Sequence, residues 1–131
     1  MKVAQVKLAV ICGLLALLLF TPSYSQTPPT GLQISPGSID FGAAQVDSDS
    51  PAQTITLNNP TQSNITMQQV ITSGIDFSVK HDCGQTLAPG AQCTIQVSFK
   101  PAIPGPRIGN LDVMGSDPAS PHFIALTGIG K

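Results

Sequence analysis

The chain has 131 residues, 41% of them hydrophobic and only 10% charged, with a formal net charge of −1, and this length suits one domain rather than two. Its 6 Lys and Arg are too few and too scattered for the basic stripe that a phosphate backbone demands, so nucleic acid is not the expected partner. With no Glu, 2 His and no Trp, it offers little material for acid/base chemistry or aromatic stacking platforms.

At the N-terminus, Lys2 and Lys7 precede an unbroken apolar run from Leu8 to Phe20, which Thr21, Pro22 and Ser23 bring to an end. This is the layout of a secretory signal peptide, with small Ser23 and Ser25 around Tyr24 and cleavage expected after Ser25. The run is shorter than the roughly 20 residues that cross a bilayer, so no stable membrane anchor is expected. Cys12 sits mid-run behind bulky Val10 and Ile11, which does not fit a lipidation site. Residues 1–25 therefore read as a cleaved signal peptide, 26–31 as a flexible lead rich in Thr and Pro, and 32–131 as the folded domain. The expected location is secreted or periplasmic. Without the leader, Lys80, Lys100, Arg107 and Lys131 face 7 acids, all Asp, and Cys83 and Cys93 remain as an even pair. An exported chain meets an oxidising compartment, which predicts a Cys83–Cys93 disulfide around the Pro89-Gly90 turn; on the chain-entropy view it stabilises by about 2–3 kcal/mol.

Beyond Leu32 no window sustains apolar residues at helical spacing, whereas alternation at period two recurs between Gly, Pro and Asn clusters. Ile55 and Leu57 alternate with Thr54, Thr56 and Asn58. From Ile65 to Ile71 the apolar positions are 65, 67, 70 and 71, so the period breaks at Gln68-Gln69; a bulge or a crossing between sheets accounts for it. Phe77 and Val79 alternate with Ser78 and Lys80. The clearest strand sets Cys93, Ile95, Val97 and Phe99 on one face and Thr94, Gln96, Ser98 and Lys100 on the other, stopped by Pro101. Leu111 and Val113 alternate with Asn110, Asp112 and Met114, and Ile124 and Leu126 continue the pattern in a last strand. Pro89-Gly90 and Pro104-Gly105 each place a fixed φ before a residue that tolerates positive φ, which is turn chemistry. About seven strands in about 100 residues predict an all-β fold, a sandwich of two antiparallel sheets. The expected core is Phe41, Ile55, Leu57, Phe77, Ile95, Val97, Phe99, Leu111, Val113, Ile124 and Leu126.

The run Ser35-Pro36-Gly37-Ser38-Ile39-Asp40-Phe41-Gly42, the strand Thr54-Ile55-Thr56-Leu57-Asn58-Asn59, the segment Leu87 to Pro101 with its Pro-Gly turn and Cys93, and the ending Leu126-Thr127-Gly128-Ile129-Gly130 carry a resemblance. Together they resemble the ASH-type (abnormal-spindle and hydin) immunoglobulin-like domain, akin to the major sperm protein and PapD-like sandwiches, over Leu32 to Gly130. The resemblance implies an immunoglobulin-like architecture and a spacer or protein-interaction role. Exported bacterial versions often come in tandem arrays tied to a surface anchor; one copy with no anchor is read here, which points to a free secreted or periplasmic module. The recurrent positions of the family are structural, so the resemblance carries over no catalytic, cofactor-binding or metal-binding residue.

Each group able to carry chemistry has a competing structural role. His81, Asp82, Cys83 and Cys93 are close enough in sequence to suggest a metal or redox site, but the spacing lacks the two close ligand pairs of structural zinc and the Cys, His and Met cluster of blue copper. Asp47 and Asp49 offer carboxylates without the further acids and Gly of a compact calcium loop, and read as a solvated turn. His122 has no Ser assigned to it, since a triad is a matter of geometry. Asn64-Ile65-Thr66 matches a glycosylation sequon. No enzyme and no cofactor are expected; a metal or redox carrier or a small enzyme is the alternative. The expected partner is a protein. If Ile124 and Leu126 face inward, Phe123 faces outward, opposite Asp112 and diagonal to Met114. Ile108 shares that outward phase, so Ile108, Met114 and Phe123 are the candidate interface, an apolar strip where the resembling family usually carries polar residues. Single surface hydrophobes are ordinary, and that is the rival reading.

Overall fold

The structure, a computed structural model, describes residues 29–131; the expected signal peptide and the first part of the expected lead lie outside the described residues. Nine strands follow in chain order: β1 (Gln33–Ser35), β2 (Ser38–Ala44), β3 (Gln53–Asn58), β4 (Ile65–Ser73), β5 (Phe77–His81), β6 (Thr86–Leu87), β7 (Gln92–Phe99), β8 (Gly105–Gly115) and β9 (His122–Gly130). They form a four-stranded sheet, β1-β3-β7-β5, facing a five-stranded sheet, β2-β9-β8-β4-β6. The fold is an all-β, immunoglobulin-like sandwich, and β1 and β6 are the additions to the expected seven strands. Both are too short to show alternation. Around Pro36-Gly37 the chain leaves β1 in one sheet and resumes as β2 in the other.

The two sheets are not wholly antiparallel, which corrects the expectation. β2 runs parallel to β9, with Ser38 opposite Ala125 and Asp40 opposite Thr127. These strands come from the two ends of the domain, so no hairpin constrains their direction. The irregularity in β4 is a bulge: Met67 pairs with Gly115 and Gln69 with Met114, leaving Gln68 as the extra residue. Ile65 and Met67 face the core before the bulge, and beyond it the phase slips so that Val70 packs against the core and Ile71 turns out. At the Pro89-Gly90 turn the Ala91 amide donates to the Ala88 carbonyl at 3.0 Å, and Gly90 has φ 74°.

Ten of the eleven expected core residues are buried, joined by Leu32, Ile39, Ile65, Met67, Leu87 and the two Cys. Phe41 is the exception. It lies on the edge strand β2, at an irregularity in the β2–β9 register between Asp40 and Ala43, and is only partly covered. Its ring nevertheless meets Phe99 at 5.6 Å between centroids, and Phe99 stacks on Phe77 at 5.1 Å. The backbone of β8 and β9 makes room for these rings. A Cβ on Gly128 would fall 2.5 Å from Phe99 Cε1, and one on Gly109 would fall 2.7 Å from Phe77 Cδ2.

The buried polar Asn59 organises the loops at one end. Its amide donates to the Ser63 and Leu87 carbonyls at 2.8 Å each, and its side-chain oxygen accepts from the Thr61 amide and hydroxyl. Every hydrogen-bonding position of that side chain is used.

Phe99→Ala is expected to destabilise by about 3–5 kcal/mol through lost burial and a cavity, and Gly128→Ala by about 1–3 kcal/mol through overpacking against the same ring. Urea unfolding of both variants checks this. A Gly128→Ala protein as stable as the parent would show that the ring and β9 are not in contact.

Candidate interaction surface

Asp76, Asp82, Asp117, Arg107 and His122 are taken up by the frame of the fold. Asp76 is buried at the β4–β5 turn, where its carboxylate accepts from the Ala102 amide at 2.8 Å and from Arg107 Nε at 2.7 Å. Burial pushes this carboxyl up, but the Ala102 hydrogen bond and the bond to and charge of Arg107 outweigh it and hold Asp76 below the usual carboxylate range. His122 Nε2 lies 2.8 Å from Asp117 Oδ2, which also accepts from the Leu32 amide at 3.2 Å. That pair clips the start of the domain to the β8–β9 loop. Among the described residues no Ser hydroxyl is hydrogen-bonded to His122: Ser120 Oγ accepts from the Gly115 amide and Ser116 Oγ from the Thr66 amide. Sequence reasoning left His122 unassigned because its partner lies across a loop whose shape alternation does not report.

Of the four residues weighed as a metal or redox site, Asp82, Cys83 and Cys93 do come together. The two sulfurs are joined in a disulfide. The Asp82 carboxylate is engaged by the Thr94 amide at 2.7 Å and hydroxyl at 3.2 Å, and the amide bond above all holds its pKa down. His81 Nδ1 accepts from the Cys83 amide at 3.3 Å. Asp47 and Asp49 stand exposed in a turn that the Asp47 amide ties to the Pro101 carbonyl, and Asn64 is exposed just ahead of β4.

What the frame does not take up is one outer face. The four-stranded sheet turns Thr54, Thr56, Thr94, Gln96, Ser98, Ser78 and Lys80 outward, a polar surface with a cation paired to Gln96. The five-stranded sheet instead exposes Ile71 (43%), Ile108 (79%), Phe123 (64%) and Ile129 (49%). The register Ile71–Asp112–Phe123 runs across β4, β8 and β9, and Met114 lies two positions along β8. Phe123 therefore sits opposite Asp112 with Met114 diagonal to it, as the hairpin count predicts. Ile108 does not join them. It pairs with Thr127, four positions along β9 from Phe123, and its diagonal neighbour is Ile129, which pairs with Pro106. The expected single strip is thus two apolar patches, separated by the row Ser73–Asn110–Ala125–Ser38. Ile71 and Ile129 were missed. The phase slip at Gln68 and the inward run Ile124, Leu126, Gly128 were the signals that place them. Between Ile71 and Phe123 the half-buried Asp112 has one carboxylate oxygen, Oδ1, shielded from solvent and without a hydrogen-bond partner. No Lys or Arg points outward from β2, β4, β8 or β9, since Arg107 alternates inward to Asp76.

The sequence matches the HYDIN/CFA65/VesB-like, Ig-like domain over residues 31–128. The chain belongs to this family. Similar folds among solved structures include a protein of unknown function from Porphyromonas gingivalis W83 (TM-score 0.66, 14% identity, 82% of this chain and 51% of that one). A secreted serine protease, VesC from Vibrio cholerae, matches with TM-score 0.59 and 16% identity over 77% of this chain and 23% of its own length. The ASH/PapD-like domain 7 of human CEP192 matches with TM-score 0.57 and 16% identity over 86% of this chain and 93% of that domain. The chain thus spans about half of the first of these proteins and under a quarter of the second. Comparison with curated proteins gives no match. At such identities the likenesses establish the fold of the Ig-like domain and nothing of its ligands.

Two outcomes follow for the Ig-like domain. Because the folded-state pKa of Asp76 lies below its unfolded value of 3.8, its contribution is present above that value and is lost as pH falls through the folded pKa. Asp76→Asn is therefore less stable than the parent at neutral pH, with the gap in Tm closing below about pH 4; a gap independent of pH would assign the loss to packing. Mass spectrometry of the protein purified without reductant and alkylated is expected to find Cys83 and Cys93 unlabelled, and two alkylated thiols would remove the bridge.

Proposed function

We propose that the chain is an exported, non-catalytic Ig-like module that binds a protein partner through the outer face of its five-stranded sheet. The observation that carries this reading is the contrast between the faces: one sheet is coated with Thr, Ser, Gln and Lys80, while the other exposes Ile71, Ile108, Phe123 and Ile129. Neighbouring exposed apolar groups rimmed by polar residues mark interaction sites more often than single hydrophobes do. Export is supported by the signal-peptide layout of residues 1–25, by the Cys83–Cys93 disulfide and by the likeness to a protein named as secreted. The non-catalytic reading is supported by the engagement of His122, Asp76 and Asp82 in hydrogen bonds that hold loops together.

Phe123→Ser and Ile108→Ser each alter only the exposed face, so folding stability is expected to stay within about 0.5 kcal/mol of the parent. A pull-down from the exported fraction is expected to lose its specific partner with Phe123→Ser and keep it with Gln96→Ser on the opposite sheet. Equal capture by all three proteins would remove this face as the binding surface, and a large drop in Tm for Phe123→Ser would show that the side chain contributes to packing.

A further inference from the structure

The centre of the apolar patch carries a chemical instruction. Asp112 is held between Ile71 on β4 and Phe123 on β9 by direct register, with Met114 beside it, and its Oδ1 is shielded from solvent with no donor supplied by the chain. A half-buried carboxylate with no donor from the chain is poorly compensated in the free protein, and a cationic donor brought by a ligand to its unshielded oxygen, Oδ2, relieves that cost. The face itself has no cation to offer. A second copy docked on the same face would bring two unpaired carboxylates and no base, which argues against self-association here.

Resting on the interaction face proposed above, we propose that Asp112 and Phe123 together form a site that reads an arginine of the partner protein, flanked by apolar side chains that settle on Ile71 and Met114. Opposed residues on paired strands hold their side chains about 5 Å apart. A planar guanidinium can therefore donate to the Asp112 carboxylate while lying against the Phe123 ring, a combination that an ammonium matches less well. Apolar neighbours exclude water from the ion pair and strengthen it.

The test uses a random linear peptide library displayed on phage, panned against the immobilised exported protein, with selected peptides then measured against variants. The expected result is a consensus with one Arg between apolar residues, and affinity that falls about tenfold or more for Asp112→Asn and for Phe123→Ser. Replacing that Arg by Lys should weaken binding less than replacing it by Gln. In the absence of peptide, Asp112→Asn should melt at the same temperature as the parent or higher, which a structural role for the carboxylate would not allow. Peptides lacking a cation, or bound equally by Asp112→Asn while lost with Phe123→Ser, would overturn the arginine reading and leave the interaction face standing. Indifference to both substitutions, or failure to enrich any peptide, would overturn both. A dimer of the parent in sedimentation that Phe123→Ser dissociates would assign the face to a second copy instead.

Discussion

The sandwich depends on how three phenyl rings are seated between two sheets. Phe41, Phe77 and Phe99 come from β2, β5 and β7 and meet one another within 6.0 Å between centroids. Their bulk is accommodated because β8 and β9 present bare backbone at Gly109 and Gly128, where a methyl group would collide with Phe77 and Phe99. Close packing at this point sets the separation of the sheets. It also sets the phase of β9: with Ile124, Leu126 and Gly128 turned inward, Phe123 and Ile129 have no choice but to face out.

Around that core, buried polar groups fasten separate segments to one another. Asn59 ties the β3–β4 loop to β6, the Asp117–His122 pair ties Leu32 to the β8–β9 loop, and Asp76 ties the β4–β5 turn to the start of β8 through Arg107. The disulfide does the same for the segment between β5 and β7. Each draws together segments that no hairpin connects, which a small domain with few core residues needs. Asp112 differs in having no hydrogen-bond partner on its carboxylate, whereas Asp117, whose Oδ1 is likewise shielded and unpartnered, is held through its Oδ2.

The family match and the folds shared with bacterial and human proteins establish the Ig-like frame. Here the two outer faces differ in composition although both belong to half-buried strands of the same pattern.

The sequence by itself determined what depends on near neighbours. Alternation through Cys93, Ile95, Val97 and Phe99 reports an inner face because side chains reverse at every residue of a strand, Pro89-Gly90 reports a turn because its backbone preferences are local, and the break at Gln68 reports the bulge. Even the pairing of Asp112 with Phe123 was legible, since a hairpin fixes register by counting. Only the tertiary structure decided which distant segments meet: that β2 lies parallel to β9, that Phe41 falls on an edge, that Asn59 and Asp117 find their partners across loops, and that Ile108 belongs with Ile129 and not with Phe123. Those contacts follow from packing two whole sheets against each other, and no stretch of alternating residues encodes the position of a strand from the other end of the chain.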